Sequence, residues 1–268
     1  MARLILVHGA FCSSNVWGSR VVHELEKLGH SLEILDLPSH GRDSTPKADV
    51  TLDLYAEFVA AKAMSRPEPA VLIGHSMGGL VITQAADNVL AAGGTCVMVS
   101  INWVGFAGVE HLRRHGRLPI HGHRNGWGAF TRHPLLGFSF QAYQKLWRLA
   151  GLDQLHVNGI RSKFWESDAS VVASAQSCLS EWAGVPGVMP VFSSGQWANQ
   201  APDMYATLHS TDLMHLAGGG IIGHPDGIAA GVASMRESWE AAATGVPLER
   251  YAQTHPALKR ALEHFGQL

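Results

Sequence analysis

An α/β fold of parallel strands is what this sequence predicts, and three observations predict it. Short apolar runs bounded by Gly, Pro or His alternate with longer stretches of helical period, the pattern of parallel strands covered by helices. The apolar runs number eight, which is the number that closes a barrel. No linker rich in Pro, Gly or Ser cuts the 268 residues and no repeat recurs at a fixed period, so one continuous βα series is the simplest organisation.

The strands are expected, in order, at Arg3–Val7, Ser31–Leu37, Ala70–Ile73, Cys96–Ile101, Leu118–His121, Gln154–Val157, Val188–Phe192 and Leu213–Leu216. Helical period appears between them at Val16–Lys27, Asp53–Ala63, Gly79–Ala91, Glu110–His115, Phe140–Ala150, Ala169–Glu181, Asp203–Leu208 and Asp226–Ala243. A last helix, Pro256–Phe265, follows a break containing proline. Trp103, Trp127, Trp147 and Trp165 read as packing residues.

With 20 basic and 22 acidic residues, nothing in the charge balance points to nucleic acid or an anionic membrane surface. A small-molecule partner is expected. Three widely spaced cysteines form no paired framework, which fits reduced thiols and a cytoplasmic location. The opening MARLILVHGA has too short an apolar run for a membrane span and reads as a buried strand. The 16 histidines are scattered, without the spacing of a metal site.

Three features precede residue 90. VHGAF (Val7–Phe11) makes a tight turn after the first strand, and LPSHGRD (Leu37–Asp43) makes a loop after the second. GHSMGG (Gly74–Gly79) is a strand-to-helix turn whose glycines allow the close backbone approach that would expose Ser76 Oγ. Residues 1–86 thereby resemble the α/β-hydrolase family, in its branch of small esterases and hydroxynitrile lyases. The resemblance implies a catalytic nucleophile at Ser76 and an oxyanion hole from backbone N–H groups of Met77 and of Ala10 or Phe11.

Residues 87–268 carry five further motifs: AGGTCVMVSINWVGFAG (Ala92–Gly108), LPIHGHRNGWG (Leu118–Gly128), LHVNGIRSKFWE (Leu155–Glu166), MPVFSSGQW (Met189–Trp197) and HLAGGGIIGHPDG (His215–Gly227). Each makes chemical sense alone. Arg124 offers a bidentate fork to phosphate or carboxylate, and His123 can carry a proton. Lys163 is a cation in a loop after a strand. Gly218, Gly219 and Gly220 supply successive N–H groups that can cradle an anion. In this order the motifs resemble the C-terminal part of the barrel of the RuBisCO large subunit, and more closely the RuBisCO-like proteins. The resemblance implies a catalytic Lys163 on a mobile loop and substrate contact by His123, Arg124 and Ser193. It also implies phosphate binding by Gly218–Gly220, a phosphorylated small-molecule substrate and a homodimer among the expected assemblies.

Each resemblance lacks partners. The family's second barrel strand supplies a carbamylated lysine and carboxylates that hold magnesium, and no corresponding cluster stands in this sequence. No cofactor is evident, and magnesium is implied by the family alone. The hydrolase's acid and histidine have no matching context after Ser76. Leu80–Ala92 keeps a helical period across the join, so three units of one kind and five of the other give an eight-stranded (β/α)8 TIM-barrel-like hybrid, a chimera in one continuous domain. The alternative is an open doubly wound parallel sheet with a 2-1-3 start. Function follows the same division. The expected reading is a RuBisCO-like fragment binding a phosphorylated sugar acid, with lyase or enolisation-type chemistry. The alternatives are a serine esterase using Ser76 and a folded recombination product without efficient catalysis.

Overall fold

The computed structural model describes residues 3–68, 70–74, 77–85, 96–115, 118–133, 135 and 137–266. The chain divides into two compact units, residues 1–128 with 150–153, and residues 129–149 with 154–268.

In the first unit, β1 (Arg3–Val7) lies between β2 (Ser31–Ile34) and β3 (Ala70–Gly74), all parallel, with Arg3 opposite both Ser31 and Ala70. The sequence RLILV suits this central place, because a strand covered on both faces needs a continuous apolar run, and all five residues are buried. Its one charge is neutralised where it enters: Arg3 donates to Ala63 O, Lys62 O, Ser65 Oγ and Glu33. Those carbonyls end α2 (Leu52–Met64), which follows α1 (Ser19–Lys27) and is capped by Thr51 accepting from Leu54 N–H. Tyr55, Ala56, Val59, Ala60 and Ala63 form the buried stripe of α2.

After β3 the chain turns into α3 (Met77–Gln84). The turn is tight enough that a Cβ on Gly74 would lie 2.5 Å from Gly79 N, and one on Gly78 would lie 2.7 Å from His8 O and closer to Val7 O. Glycine is required there by close approach. The same unit contains β4 (Val97–Ser100) and β5 (Ile120–His123), parallel with Val97 opposite Ile120, and α4 (Ile101–His115) between them.

In the second unit, short helices α5 (Gly128–Thr131, whose first residue belongs to the first unit) and α6 (Phe140–Leu149) precede β6 (Gln154–His156), and α7 (Asp168–Leu179) leads to β7 (Met189–Phe192). Then come α8 (Ala201–Leu208), β8 (Met214–His215), α9 (Gly218–Ile222), α10 (Ile228–Thr244), α11 (Leu248–Tyr251) and α12 (Pro256–Phe265). The strands are parallel in the order β6, β7, β8. Ala217, Met235, Ala241, Leu248, Leu258 and Ala261 make a buried cluster, with Trp197 and Phe265 against it. Arg148 closes the end of α7: its buried guanidinium donates to the carbonyls of Pro186, Ser177, Ser180 and Val185.

The α/β class and the parallel strands stand as the sequence predicts. The first three strands take the 2-1-3 order of the doubly wound alternative rather than barrel order, because β1, buried throughout, takes a neighbour on each side. Strand β2 stops at Ile34 instead of Leu37, since the Leu37 N–H donates to the His8 side chain at 3.0 Å instead of to a strand. Strand β5 runs Ile120–His123, two residues later than expected, because Pro119 has no N–H to give a ladder. The helix expected at Glu110 begins at Ile101 and bends at Gly105, whose φ is 67°. The join expected at Leu80–Ala92 lies outside the described residues beyond Ala85.

Candidate functional site

In the second unit, the loops that leave β6, β7 and β8 are tied to one another. His156 ends β6, almost fully buried, with Nδ1 3.2 Å from Ser193 Oγ. Ser193 follows β7, and its hydroxyl lies 3.4 Å from that of Ser194. Ser194 and Gly195 are consecutive left-handed residues, φ 77° and 72°, a conformation that costs energy at the serine. A Cβ on Gly195 would lie 3.5 Å from both the backbone nitrogen and Cβ of Lys163, so the two loops touch.

Gln196 makes the stronger tie. It is 1% exposed, and its amide donates to Ile160 O at 3.1 Å and to Ser194 O at 3.2 Å. On the β8 side, Gly220 packs so closely that a Cβ would sit 2.5 Å from Trp197 Cβ and 2.9 Å from Gln196 O. Gly218 and Gly219 face open space at the start of α9. Lys163, Ser193 and the glycine triplet are therefore on three loops held side by side.

The Lys163 loop has its own anchor. Asn158 Nδ2 donates to Glu166 Oε2 at 2.7 Å, and Ser170 Oγ donates to Glu166 Oε1 at 2.8 Å, with Asn158 and Glu166 buried. Between these ends the Lys163 ammonium lies 5.8 Å from the centre of the Phe164 ring, and Phe164 and Trp165 are exposed. Asn158, Glu166 and Gln196 escape a reading of the sequence, because their polar contacts join positions with no motif spacing. The adjacent Gly159 is the one local hint, since glycine after a strand often marks a close approach.

In the first unit, His123 ends β5 and Arg124 follows it. Arg124 is 3% exposed and stacks on Trp127 at 4.6 Å. Burial pulls the His123 pKa below that of free histidine; Arg124 adds to the fall and a hydrogen bond with Asn125 opposes it. A neutral imidazole at pH 7 is the result. Asn102 Nδ2 donates to Asn125 O at 2.7 Å and fixes this loop to the start of α4.

Of the hydrolase-like group, Ala10 and Phe11 lie in the turn closed by Cys12 N–H to Gly9 O, with Phe11 exposed at φ 57°. Met77 opens α3, next to the Gly78 that packs on Val7 and His8. Ser76 lies outside the described residues. His8 is structural, holding Leu37 N–H and Gly9 O. Asp36 precedes Leu37 in the second loop. Burial would raise its pKa, but hydrogen bonds from Ser14 and Arg42 prevail and hold it at about 2.

Magnesium needs several hard oxygen ligands in one place. Among the described residues no group of three His, Cys, Asp or Glu side chains converges in that way. None of the described helices is long and apolar enough to cross a membrane.

The sequential parallel order of β6, β7 and β8, with a lysine, a serine and a glycine triplet on the stretches that follow them, is that of the TIM-barrel class of α/β proteins. The family model for the ribulose bisphosphate carboxylase large chain, catalytic domain, matches residues 77–265, more than half of the chain, which therefore belongs to that family. The alpha/beta hydrolase fold model matches residues 2–91. The 3-oxo-isoapionate-4-phosphate transcarboxylase/hydrolase of Xanthobacter autotrophicus is 54% identical over 178 residues, covering 66% of this chain and 43% of that protein. The 3-oxo-isoapionate-4-phosphate decarboxylase of Rhizobium etli is 48% identical over 184 residues, 67% of this chain and 44% of that protein. The crystal structure of a rubisco-like protein from Burkholderia fungorum matches with a TM-score of 0.72 at 38% identity, over 98% of this chain and 66% of the other. The chain thus spans less than half the length of these two curated relatives.

Proposed function

We propose that residues 87–268 bind a phosphorylated sugar acid on the loops after β6, β7 and β8, and that residues 1–86 are a hydrolase-like segment joined to them as a chimera. The observation that carries this reading is the tie of Gln196 to Ile160 and Ser194, which sets the Lys163 and Ser193 loops side by side. The names of the Xanthobacter and Rhizobium relatives, each a 4-phosphate of a 3-oxo sugar acid, supply the ligand class.

In this reading the N–H groups of Gly218–Gly220 take the phosphate, favoured by the open space around the first two. Lys163 pairs with the carboxylate, and the Ser193 hydroxyl donates to a substrate oxygen while His156 stands behind it. In a 3-oxo acid one carbon separates the carboxylate from the ketone. The bond to the carboxylate breaks to release carbon dioxide, its electron pair forms an enolate on the ketone oxygen, an ammonium near that oxygen stabilises it, and the carbon then takes a proton from water. For His123 and Arg124, in the other unit, support comes from the resemblance and from their chemistry: a neutral imidazole to exchange a proton and a fork for an anion. No step is assigned to a metal. Release of labelled carbon dioxide from 3-oxo-isoapionate 4-phosphate, lost in Lys163→Met, is the expected result; no release from the unaltered protein refutes the catalytic part.

The second reading is a serine hydrolase. The packing of Gly78 on Val7 and His8, the approach a nucleophile turn requires, favours it. Labelling by a fluorophosphonate must then disappear in Ser76→Ala. Absence of labelling together with absence of carbon dioxide release leaves the third reading, a folded product without efficient catalysis.

A further inference from the structure

In the second unit, the Lys163 loop is fixed at both ends, by Gln196 on Ile160 O and by Glu166 between Asn158 and Ser170. Residues 161–165, between those ties, are at least partly exposed. Their course is set at Arg161. Its φ is 51°, in the left-handed region that a residue with a Cβ rarely adopts, and the sign of φ decides where the following chain goes. Two residues later the chain meets Gly195: the Lys163 backbone nitrogen and Cβ each lie 3.5 Å from where a Cβ on Gly195 would be.

Three bonds hold Arg161 in that disfavoured conformation, which persists only where the surroundings over-determine it. Its N–H donates to Asp168 Oδ1 at 2.7 Å, and Asp168 is the first residue of α7. Its guanidinium donates to Asn199 O at 3.0 Å and pairs with the Asp203 carboxylate in the first turn of α8. Both carboxylates stand at helix N-termini, where the partial positive charge favours them. The side chains of the Arg161–Asp203 pair are 45% and 48% exposed, so the pair adds little to the stability of the whole fold. What it can decide is the smaller balance between one course of the loop and another.

We propose that Arg161 is a positioning residue: fastened to the starts of α7 and α8, it directs the loop so that Lys163 stands against Gly195 before an anionic ligand arrives. Arg161 acts through Lys163 and does not itself touch the ligand. Without the guanidinium the loop takes several courses, and the ligand binds only to the fraction in which Lys163 is in place, which lowers the affinity by that fraction. The role of Lys163 toward a phosphorylated sugar acid rests on the function proposed above; the fastening of the loop does not.

Arg161→Met, which keeps the backbone N–H and removes the guanidinium, tests it by ¹⁵N relaxation and by calorimetric titration with 3-oxo-isoapionate 4-phosphate. In the ligand-free protein the order parameters of residues 162–165 are expected at about 0.8, and in the variant below about 0.6. Those of β7 are expected to stay as they are, and the urea midpoint to move little. Affinity is expected to fall about fivefold, as for a loop in place one-fifth of the time. On a Lys163→Met background, Arg161→Met is expected to cause no further loss. Asp203→Asn leaves Arg161 in place, is expected to loosen the same four residues, and serves should Arg161→Met not fold. Unchanged order parameters at residues 162–165 in the variant measured, loosening that extends to β7, or a further fivefold loss on the Lys163→Met background overturns the proposal. If the unaltered protein does not bind the phosphorylated sugar acid, the function proposed above falls, and the order parameters alone decide whether Arg161 positions the loop.

Discussion

Replacing Gly159 by alanine tests the tie between the Lys163 and Ser193 loops. A Cβ at Gly159 would lie 2.5 Å from Gln196 Oε1 and closer still to its Nε2 and Cδ. Gly159 is not in the left-handed region, so alanine is tolerated by the backbone and the effect is steric. The Gln196 amide must move, and at 1% exposure it has little space to enter. Loss of its bonds to Ile160 O and Ser194 O costs about 1 kcal/mol each, and overpacking adds about 1–3 kcal/mol. The expected loss is therefore about 3–5 kcal/mol, read as a fall in the urea midpoint at unchanged slope. On a Gln196→Ala background the clash is absent, and the added alanine should cost less than about 0.5 kcal/mol. Additive losses in the double variant would refute the steric reasoning.

Other predictions follow from buried polar groups. Arg148→Met strips the donor from four carbonyls, two at the end of α7 and two in the loop after it, and should cost about 3 kcal/mol or more; a change below about 1 kcal/mol in urea denaturation counts against that role. His215 predicts a pH dependence. Its pKa falls from 6.5 to about 4 on folding, so the unfolded chain takes up the proton first. Its contribution is whole above pH 6.5 and declines as pH falls to about 4, by about 3 kcal/mol in all. Denaturation of the unaltered protein and His215→Phe across that range should show a difference that changes with pH; a constant difference contradicts it.

How much was legible varies with the range of the interaction. RLILV shows its buried central place by composition alone, and Gly74, Gly78 and Gly220 mark close approaches that the structure contains. Strand ends were less legible, because the Leu37 N–H is taken by the side chain of His8, just beyond β1, and Pro119 removes a donor. The tryptophans divide: Trp127 and Trp147 are packed as expected, but Trp103 and Trp165 are 78% and 46% exposed, since residue type does not reveal which face of an element it occupies. Lys163, Ser193 and Gly218–Gly220 were legible as motifs. Their supports were not, because Gln196 to Ile160, Asn158 to Glu166 and His215 to Trp239 are contacts made only once the chain folds.

Calorimetric titration with a phosphorylated sugar acid and with its dephosphorylated form tests the central claim most directly. The account predicts saturable binding of the phosphorylated form only, weakened about tenfold or more in Lys163→Met, as expected for loss of a charge-assisted contact. Equal behaviour of the two ligands, or binding indifferent to Lys163, would contradict it.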